Sequence, residues 1–292
     1  MLDLSYLPQI ALSGVAVGCI YGLIGIGFCV IYNASGIVNF AQGAFVMMGG
    51  MITFSAFNTL GLPLWLAAVI AIVATAASGV VIERIVVRPL WDRNATMFVM
   101  ILATLAAEIV IDRLALIVAG DQPKTLPPFT DLPPMRLGGI AISYQFLWIV
   151  GLSLLLIVLL GQFFKRTKTG KAMRACAFNR EAASLQGINV SRMLSLSFAL
   201  SAGLGAIAGV LITPTQYTSF NVGVPFAISG FIAAIVGGFG RPLGAFMGGI
   251  MLGLAQSVAI VAFGSGMKNV AALSVLLIFL FIRPGGILGE AK

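Results

Sequence analysis

Residues 165–192 read KRTKTGKAMRACAFNREAASLQGINVSR, and their composition decides how the rest of the chain is read. Seven bases, Lys165, Arg166, Lys168, Lys171, Arg174, Arg180 and Arg192, stand against one acid, Glu181, a net of +6 out of a formal +8 for all 292 residues. The stretch is too polar to sit in lipid, while the sequence on both sides is apolar enough to do so. Helix signals run through it. Thr169 and Asn179 carry side chains that accept hydrogen bonds from free N–H groups at a helix start. Glu181 falls in the first turn after Asn179, where the dipole favours an anion, and Gly187 stands where a glycine ends a helix. The spacing predicts two short helices joined by a bend, projecting from a membrane. A basic loop that only sets orientation in a bilayer has the same charge, so composition leaves both readings open.

The flanking sequence settles the solvent. Apolar residues make up 60% of the chain and charged residues 9%, with a mean hydropathy of +1.08. Soluble domains are about a quarter charged, so this is an integral membrane protein. The excess bases flank apolar spans and set orientation, which removes the case for nucleic acid. Histidine is absent and the three cysteines, Cys19, Cys29 and Cys176, have neither metal-ligand nor disulfide spacing. The start, MLDLSYLP, lacks the basic region of a cleaved signal peptide.

Nine apolar segments follow one another at 8–31, 40–57, 63–86, 96–119, 144–164, 193–213, 226–239, 243–263 and 270–282. The second is punctuated by Gly43, Gly49 and Gly50. The seventh, roughly 14 residues against the usual 17 to 25, is expected to be tilted, re-entrant or partly unwound. Loops 84–93 and 165–192 are basic, whereas 120–143 is proline-rich and nearly neutral. With Arg241, Arg283 and Lys292 on the basic side, the topology has the N-terminus outside and the C-terminus inside. Gly14, Gly18 and Gly22 recur every four residues in the first segment, as do Ser197, Ser201, Gly205 and Gly209 in the sixth; such faces let two backbones approach closely. Trp65, Trp91 and Trp148 lie near segment ends, as an interfacial belt requires. GAFVMMGG at 43–50 and GAFMGG at 244–249 look alike, but both segments run in the same direction, so they form no inverted repeat.

Two polar groups break the apolar segments. Glu108 and Asp112 sit one turn apart in the fourth, with Arg113 beside them; carboxylates in a span are costly and mark function by default. Pairing with Arg113, an assembly contact and a cation relay are the three readings. Asn33, Asn39 and Gln42, with Gly43, flank or enter the second segment, either as helix caps or as the lining of a route for a polar solute. No phosphate-binding loop exists; Thr169-Gly170-Lys171-Ala172 lacks its first glycine and the hydroxyl after the lysine. If transport is ATP-driven, the ATPase is another chain.

Arg180-Glu181-Ala182-Ala183-Ser184-Leu185-Gln186-Gly187-Ile188-Asn189-Val190 resembles the cytoplasmic coupling loop of bacterial ATP-binding-cassette (ABC) importer permeases, and more narrowly that of the LivH-type permeases of high-affinity branched-chain amino acid importers. Four further stretches agree in order: Ser35-Gly36-Ile37-Val38-Asn39-Phe40-Ala41-Gln42-Gly43, Arg88-Pro89-Leu90, Gly237-Gly238-Phe239-Gly240-Arg241-Pro242-Leu243-Gly244-Ala245 and Arg283-Pro284-Gly285-Gly286-Ile287-Leu288-Gly289. The chain departs from the family at Ala44, where an acid often stands, and after Thr104, where a glycine often follows Ala-Thr-x but Leu105, Ala106, Ala107 and Glu108 stand here. The resemblance implies an all-α polytopic membrane protein of about nine transmembrane segments, one permease domain over 1–292, with its coupling helices in 165–192.

It further implies a bacterial inner-membrane location and a second, similar permease subunit. Two cytoplasmic ATPase subunits that carry ATP and magnesium, and a periplasmic solute-binding protein, complete the assembly. This chain itself would hold no cofactor or metal and catalyse nothing. Coupling would fall to Arg174, Arg180, Glu181, Ala182, Ala183 and Gly187, and the path to Asn39, Gln42 and Gly43. The solute expected is a branched-chain or other apolar amino acid, with urea or short amides as the alternative. A stand-alone carrier using Glu108 and Asp112 as a cation relay is the rival class.

Overall fold

A computed structural model of the chain describes residues 7–137, 140–283 and 285–288. Met1 to Tyr6, Pro284, Gly289 and Lys292, which figure in the sequence reading above, lie outside the described residues. Helices occur at α1 (Leu7–Ser35), α2 (Gln42–Asn58), α3 (Leu64–Ile82), α4 (Arg88–Asp92), α5 (Met97–Ala119), α6 (Tyr144–Arg166), α7 (Lys168–Phe178), α8 (Arg180–Leu185), α9 (Val190–Ile212), α10 (Gly223–Gly237), α11 (Pro242–Phe263) and α12 (Lys268–Ile282). A helix therefore stands in each of the nine apolar segments, and α7 and α8 form the basic stretch between α6 and α9.

Six of the described helical stretches are long and apolar enough to cross a membrane. The other three explain themselves: α2 has 17 residues, α10 has 15, and α5 carries Glu108, Asp112 and Arg113. At 1.5 Å per residue α10 spans about 22 Å against a hydrocarbon core of about 30 Å, so on its own it falls short of the bilayer thickness.

The first helix is the axis. Cys19 to Ile31 is almost wholly buried, packed by α11, α9, α10 and α6. Its small face works as its spacing predicts, since a Cβ at Gly18 would sit 2.6 Å from the Ile250 Cα of α11. The second small face lets α9 lie on α2 just as closely; a Cβ at Gly209 would overlap the Val46 carbonyl. Outer helices show the reverse pattern. Only 6% of the best apolar window of the α12 stretch is buried, against 83% for α1, as expected where lipid rather than water is the outer solvent.

Several boundaries differ from the sequence reading. The third helix does not stop at a loop. It runs unbroken from Leu64 to Asp92 through a π-helical turn, Glu83–Val87, in which the Arg88 N–H reaches back five residues to the Glu83 carbonyl. Within the turn Ile85-Val86-Val87 is apolar enough to continue a helix, and Glu83 and Arg88 pair on one face. The α7 cap is Thr167, not Thr169: its Oγ1 accepts from the Gly170 N–H at 3.0 Å, while its own N–H closes α6 on the Phe163 carbonyl. The glycines at 43, 49 and 50 do not interrupt α2, and α9 begins at Val190, capped by Asn189. Trp65 and Trp148 are exposed as an interfacial belt requires, but Trp91 is buried.

The neutral stretch between α5 and α6 forms a hairpin, β1 (Met135–Leu137) antiparallel to β2 (Ile140–Ile142). Gln9 of α1 fixes it by exchanging two hydrogen bonds with the Ala141 backbone. A second stretch of the same loop pairs Lys124 with Thr218. At the far end of the chain, the Ile287 and Leu288 N–H groups donate to the Val236 and Gly237 carbonyls. The last described residues thus close the C-terminus of α10, which brings two of the five resembling stretches together.

Candidate functional site

The joint between α1 and α2 is where the bundle departs from regular helix. Residues 36–41 are not helical, yet Ile37, Val38, Asn39 and Ala41 are buried. Irregular backbone at membrane depth is tolerated only inside protein or along a polar cavity. This irregular segment climbs back into the bundle, so Gln42 reaches the level of Gly27, two turns or about 12 Å along α1 from Ser35. Ser201 Oγ of α9 lies 2.6 Å from Gln42 Oε1 and 2.8 Å from the Gly27 carbonyl, sharing one proton between two acceptors. Gln42 Nε2 donates to the Ser201 carbonyl at 3.2 Å. Gln42 is therefore a bolt between α1, α2 and α9.

Asn39 behaves differently. Its Oδ1 accepts from the Ala41 N–H at 3.1 Å, but its Nδ2, fully buried, has no partner among the described residues. No side chain caps α2. The Phe40 N–H finds Thr104 Oγ1 of α5 at 3.1 Å instead. Asn33 caps no helix start; it donates to the Gly240 carbonyl at 2.6 Å.

The fifth helix faces this joint with an unusual stripe. Its buried residues are Met100, Thr104, Glu108 and Asp112, spaced every four, while Phe98, Leu102, Ile109, Leu114 and Val118 point outward. A soluble amphipathic helix buries its apolar stripe; α5 buries its polar one. Glu108 Oε1 and Asp112 Oδ1 have no hydrogen-bond partner among the described residues. Glu108 lies against Gly43, where a Cβ would collide with its Oε1 and with the Gly223 carbonyl at the start of α10.

The structure thus joins two groups that the sequence presents 65 residues apart, Asn39-Gln42-Gly43 and Glu108-Asp112, and adds Thr104 and Gly223 to them. Thr104 was legible: it stands four residues before Glu108, on the same helical face. Gly223 carried no signal of its own. Arg113 does not join them. Its guanidinium sits 5.9 Å from the Phe220 ring centre, and the one ion pair among the described residues is Glu83–Arg88. No close ion pair joins Arg113 to Glu108 or Asp112 among the described residues; residue 113 falls about 100° around the helix from Asp112.

The basic stretch forms the second half of the site. The buried face of α7, Gly170, Met173 and Cys176, packs toward α1 and α6. Burial also raises the Cys176 thiol above its ordinary range, so this is a packing cysteine. Asn179 caps α8 as predicted, accepting from the Ala182 N–H at 3.0 Å. Gly187 ends α8 with φ +79°, a region that favours glycine. Glu181 and Ala182 are exposed and Ala183 is buried. Phe178 at 95% exposure and Leu185 at 89% flank α8, two large apolar side chains on a cationic surface.

Arg180 stays exposed but reaches back along the surface. It hydrogen-bonds Asn94 Oδ1 and lies 5.8 Å from the Trp91 ring centre, which fastens α8 to the turn between α4 and α5. Arg174 lies apart from α8, lining a cavity with Lys165 and Arg241.

Comparison with known proteins fits this geometry. Residues 10–282 match the family described as branched-chain amino acid transport system / permease component. The chain is 34% identical to the high-affinity branched-chain amino acid transport system permease protein BraD of Pseudomonas aeruginosa, over 98% of this chain and 97% of that protein. It is 31% identical to the permease protein LivH of Escherichia coli K12 over the same shares. A solved structure, PsaBC from Streptococcus pneumoniae in complex with Fab, superposes with a TM-score of 0.52 at 15% identity, covering 96% of this chain and 93% of that one, which is a likeness of fold alone. A bundle threaded on one buried helix, an irregular polar joint inside it, and a projecting pair of short helices are thus features of a multi-pass membrane permease, and the chain belongs to the branched-chain amino acid transport system permease component family.

Proposed function

We propose that this chain is one of two membrane subunits of an ATP-driven importer that carries a branched-chain or other apolar amino acid across the inner membrane. The observation that carries the reading is the family match over residues 10–282, reinforced by the relatives' printed role over 98% of the chain. In this reading a second permease completes the path, two cytoplasmic ATPase subunits supply the energy and a periplasmic protein delivers the solute. The N-terminus faces outside and the C-terminus inside.

The coupling element is α8 with its flanking apolar pair, Phe178 and Leu185. Closure of the ATPase dimer pushes on Glu181 and Ala182. Ala183, packed inward, and Arg180, clamped to Asn94 and Trp91, pass the push to α9 and to the α4–α5 turn. Asn39, Glu108 and Asp112 line the path, offering one amide donor and two carboxylate acceptors to a solute that carries an ammonium and a carboxylate. Gln42 and Gly43 shape it and do not touch the solute.

Reconstitution with the partner subunits tests the reading. ATP-dependent uptake of labelled leucine is expected, and none by this chain alone under an ion gradient. Glu108→Gln is expected to raise the apparent KM roughly tenfold, the cost of one hydrogen bond to a charged group. Glu108 and Asp112, each with one buried oxygen that has no hydrogen-bond partner among the described residues, also favour a cation relay, in which this chain alone would accumulate solute without ATP. That result would overturn the importer assignment.

A further inference from the structure

The fifth helix is held to the bundle through its first half. The Phe40 N–H meets Thr104, Glu108 lies against Gly43, and the π-helical turn of the third helix packs alongside. Past Glu108 a cleft of about 530 Å³ separates α5 from α2 and α3. Met47 and Met51 of α2, Ser78 and Ile82 of α3, and Ile111 and Ala115 of α5 line it, and no charged residue among the described ones does. One end of the cleft is the contact between Gly43 and Glu108. Met47 stands one turn after Gly43, and Ile111 one turn after Glu108. Ala115 is two turns, about 10 Å, along the helix from Glu108 and within about 20° of it around the axis. The buried Glu108 carboxyl and the apolar cleft therefore share one face of α5.

We propose that this cleft seats the apolar side chain of the transported amino acid, while Glu108 and Asp112 at its end take the ammonium. The placement rests on the path proposed above and adds to it the surface that reads the side chain. Glu108 Oε1 and Asp112 Oδ1 are buried without a hydrogen-bond partner among the described residues. An ammonium supplies the missing donors, and an acyl chain lying in the same cleft does not. Acceptor and apolar wall follow one another along one helix face, as ammonium and hydrocarbon do in an aliphatic amino acid. The wall is also adaptable. Methionine is unbranched and has three rotatable bonds, so Met47 and Met51 can fit leucine, isoleucine and valine, which differ in where they branch. Ser78 Oγ is already engaged, donating to the Thr75 carbonyl of its own helix at 2.7 Å. Urea has no hydrocarbon to place there, so the cleft favours the amino acid over that alternative.

Photolabelling tests this in the importer reconstituted with its partner subunits, using a leucine analogue that carries a diazirine in its side chain, at a concentration that halves leucine uptake. Labels are expected within 47–51 and 111–115, and excess leucine is expected to suppress them. Ala115→Trp is expected to abolish this labelling and to raise the apparent KM for leucine roughly tenfold or more, the range for misfit in an apolar pocket. Helical side chains lean toward the N-terminus, so the indole would cover the level of Ile111 without touching the sequence that carries Glu108. Ala115→Leu fills less and is expected to act in the same direction should the indole prevent insertion. ATP-dependent uptake with labels only outside the cleft, or inside it but unaffected by leucine, overturns the placement and leaves the importer reading intact. So does labelling of the cleft by a diazirine-bearing phospholipid in excess leucine, which would assign it to lipid. Absence of ATP-dependent uptake in the unmodified assembly would instead overturn the importer reading itself.

Discussion

Replacing Gly187 with Pro is expected to abolish ATP-driven uptake while leaving the chain in the membrane. α8 has six residues, far below the dozen or so at which an isolated helix is even marginal. Its shape depends on what holds its ends. Asn179 caps the start and Arg180 anchors it to Asn94. At the other end the Gly187 N–H donates to the Ser184 carbonyl at 2.9 Å, and the Ile188 N–H to Ala183 at 3.1 Å. Proline removes the first of these donors and demands φ near −65° where the backbone has +79°.

Because residues 179–187 lie outside the spans, insertion is expected to survive. Glu181→Lys acts differently. It keeps the helix, costing about 0.3–1 kcal/mol at the dipole, but reverses the charge of the face proposed to meet the ATPase. Quantifying membrane-inserted protein, ATPase rate and uptake separates the two: hydrolysis without transport is expected in both. Normal uptake in both variants would sink the coupling role of α8.

Arg88→Ala is expected to cost about 3–5 kcal/mol of stability, the range for breaking one side of a buried ion pair. Glu83 is wholly buried. Arg88 Nε and Nη2 donate to its two oxygens at 2.8 and 3.0 Å. Ser195 Oγ of α9 donates to Glu83 Oε2 at 2.8 Å and accepts from Arg88 Nη2 at 2.7 Å. Without the guanidinium one buried carboxylate keeps a single hydroxyl. Thermal melting in detergent checks this, and Glu83→Gln with Arg88→Met, which leaves no orphaned charge, is expected to recover most of the loss. A single variant that melts like the parent would show that α3 and α9 are held together by packing alone.

The architecture was legible because lipid removes ambiguity. Runs such as 8–31 and 243–263 have one stable conformation there, and the four-residue glycine spacing of α1 announced its own contact with α11. The handle was legible from Asn179 and Gly187, which fix both ends of α8. What hid was everything set by tertiary approach. Charges at 83–93 read as a loop, because nothing local shows that Glu83 is neutralised by Arg88 across a π-turn. The seat of Arg113 against Phe220 was not announced locally either, since consecutive helical residues point about 100° apart. Gly43 and Glu108 gave no mutual signal, since a missing side chain on one helix makes room for a carboxylate on another only once both are placed.

The buried joint between α1 and α2 also sets a schedule for biogenesis. Gln42 leaves the ribosome 159 residues before Ser201, its partner across the bundle. At about 5–20 residues per second, that interval is on the order of ten to thirty seconds. Throughout it the first helical hairpin carries an amide that lipid cannot satisfy, at a depth that water reaches poorly. The hairpin is therefore expected to stay near the insertion machinery until α9 emerges, so that the chain is completed in the membrane as one late-closing unit and not as a series of independent hairpins.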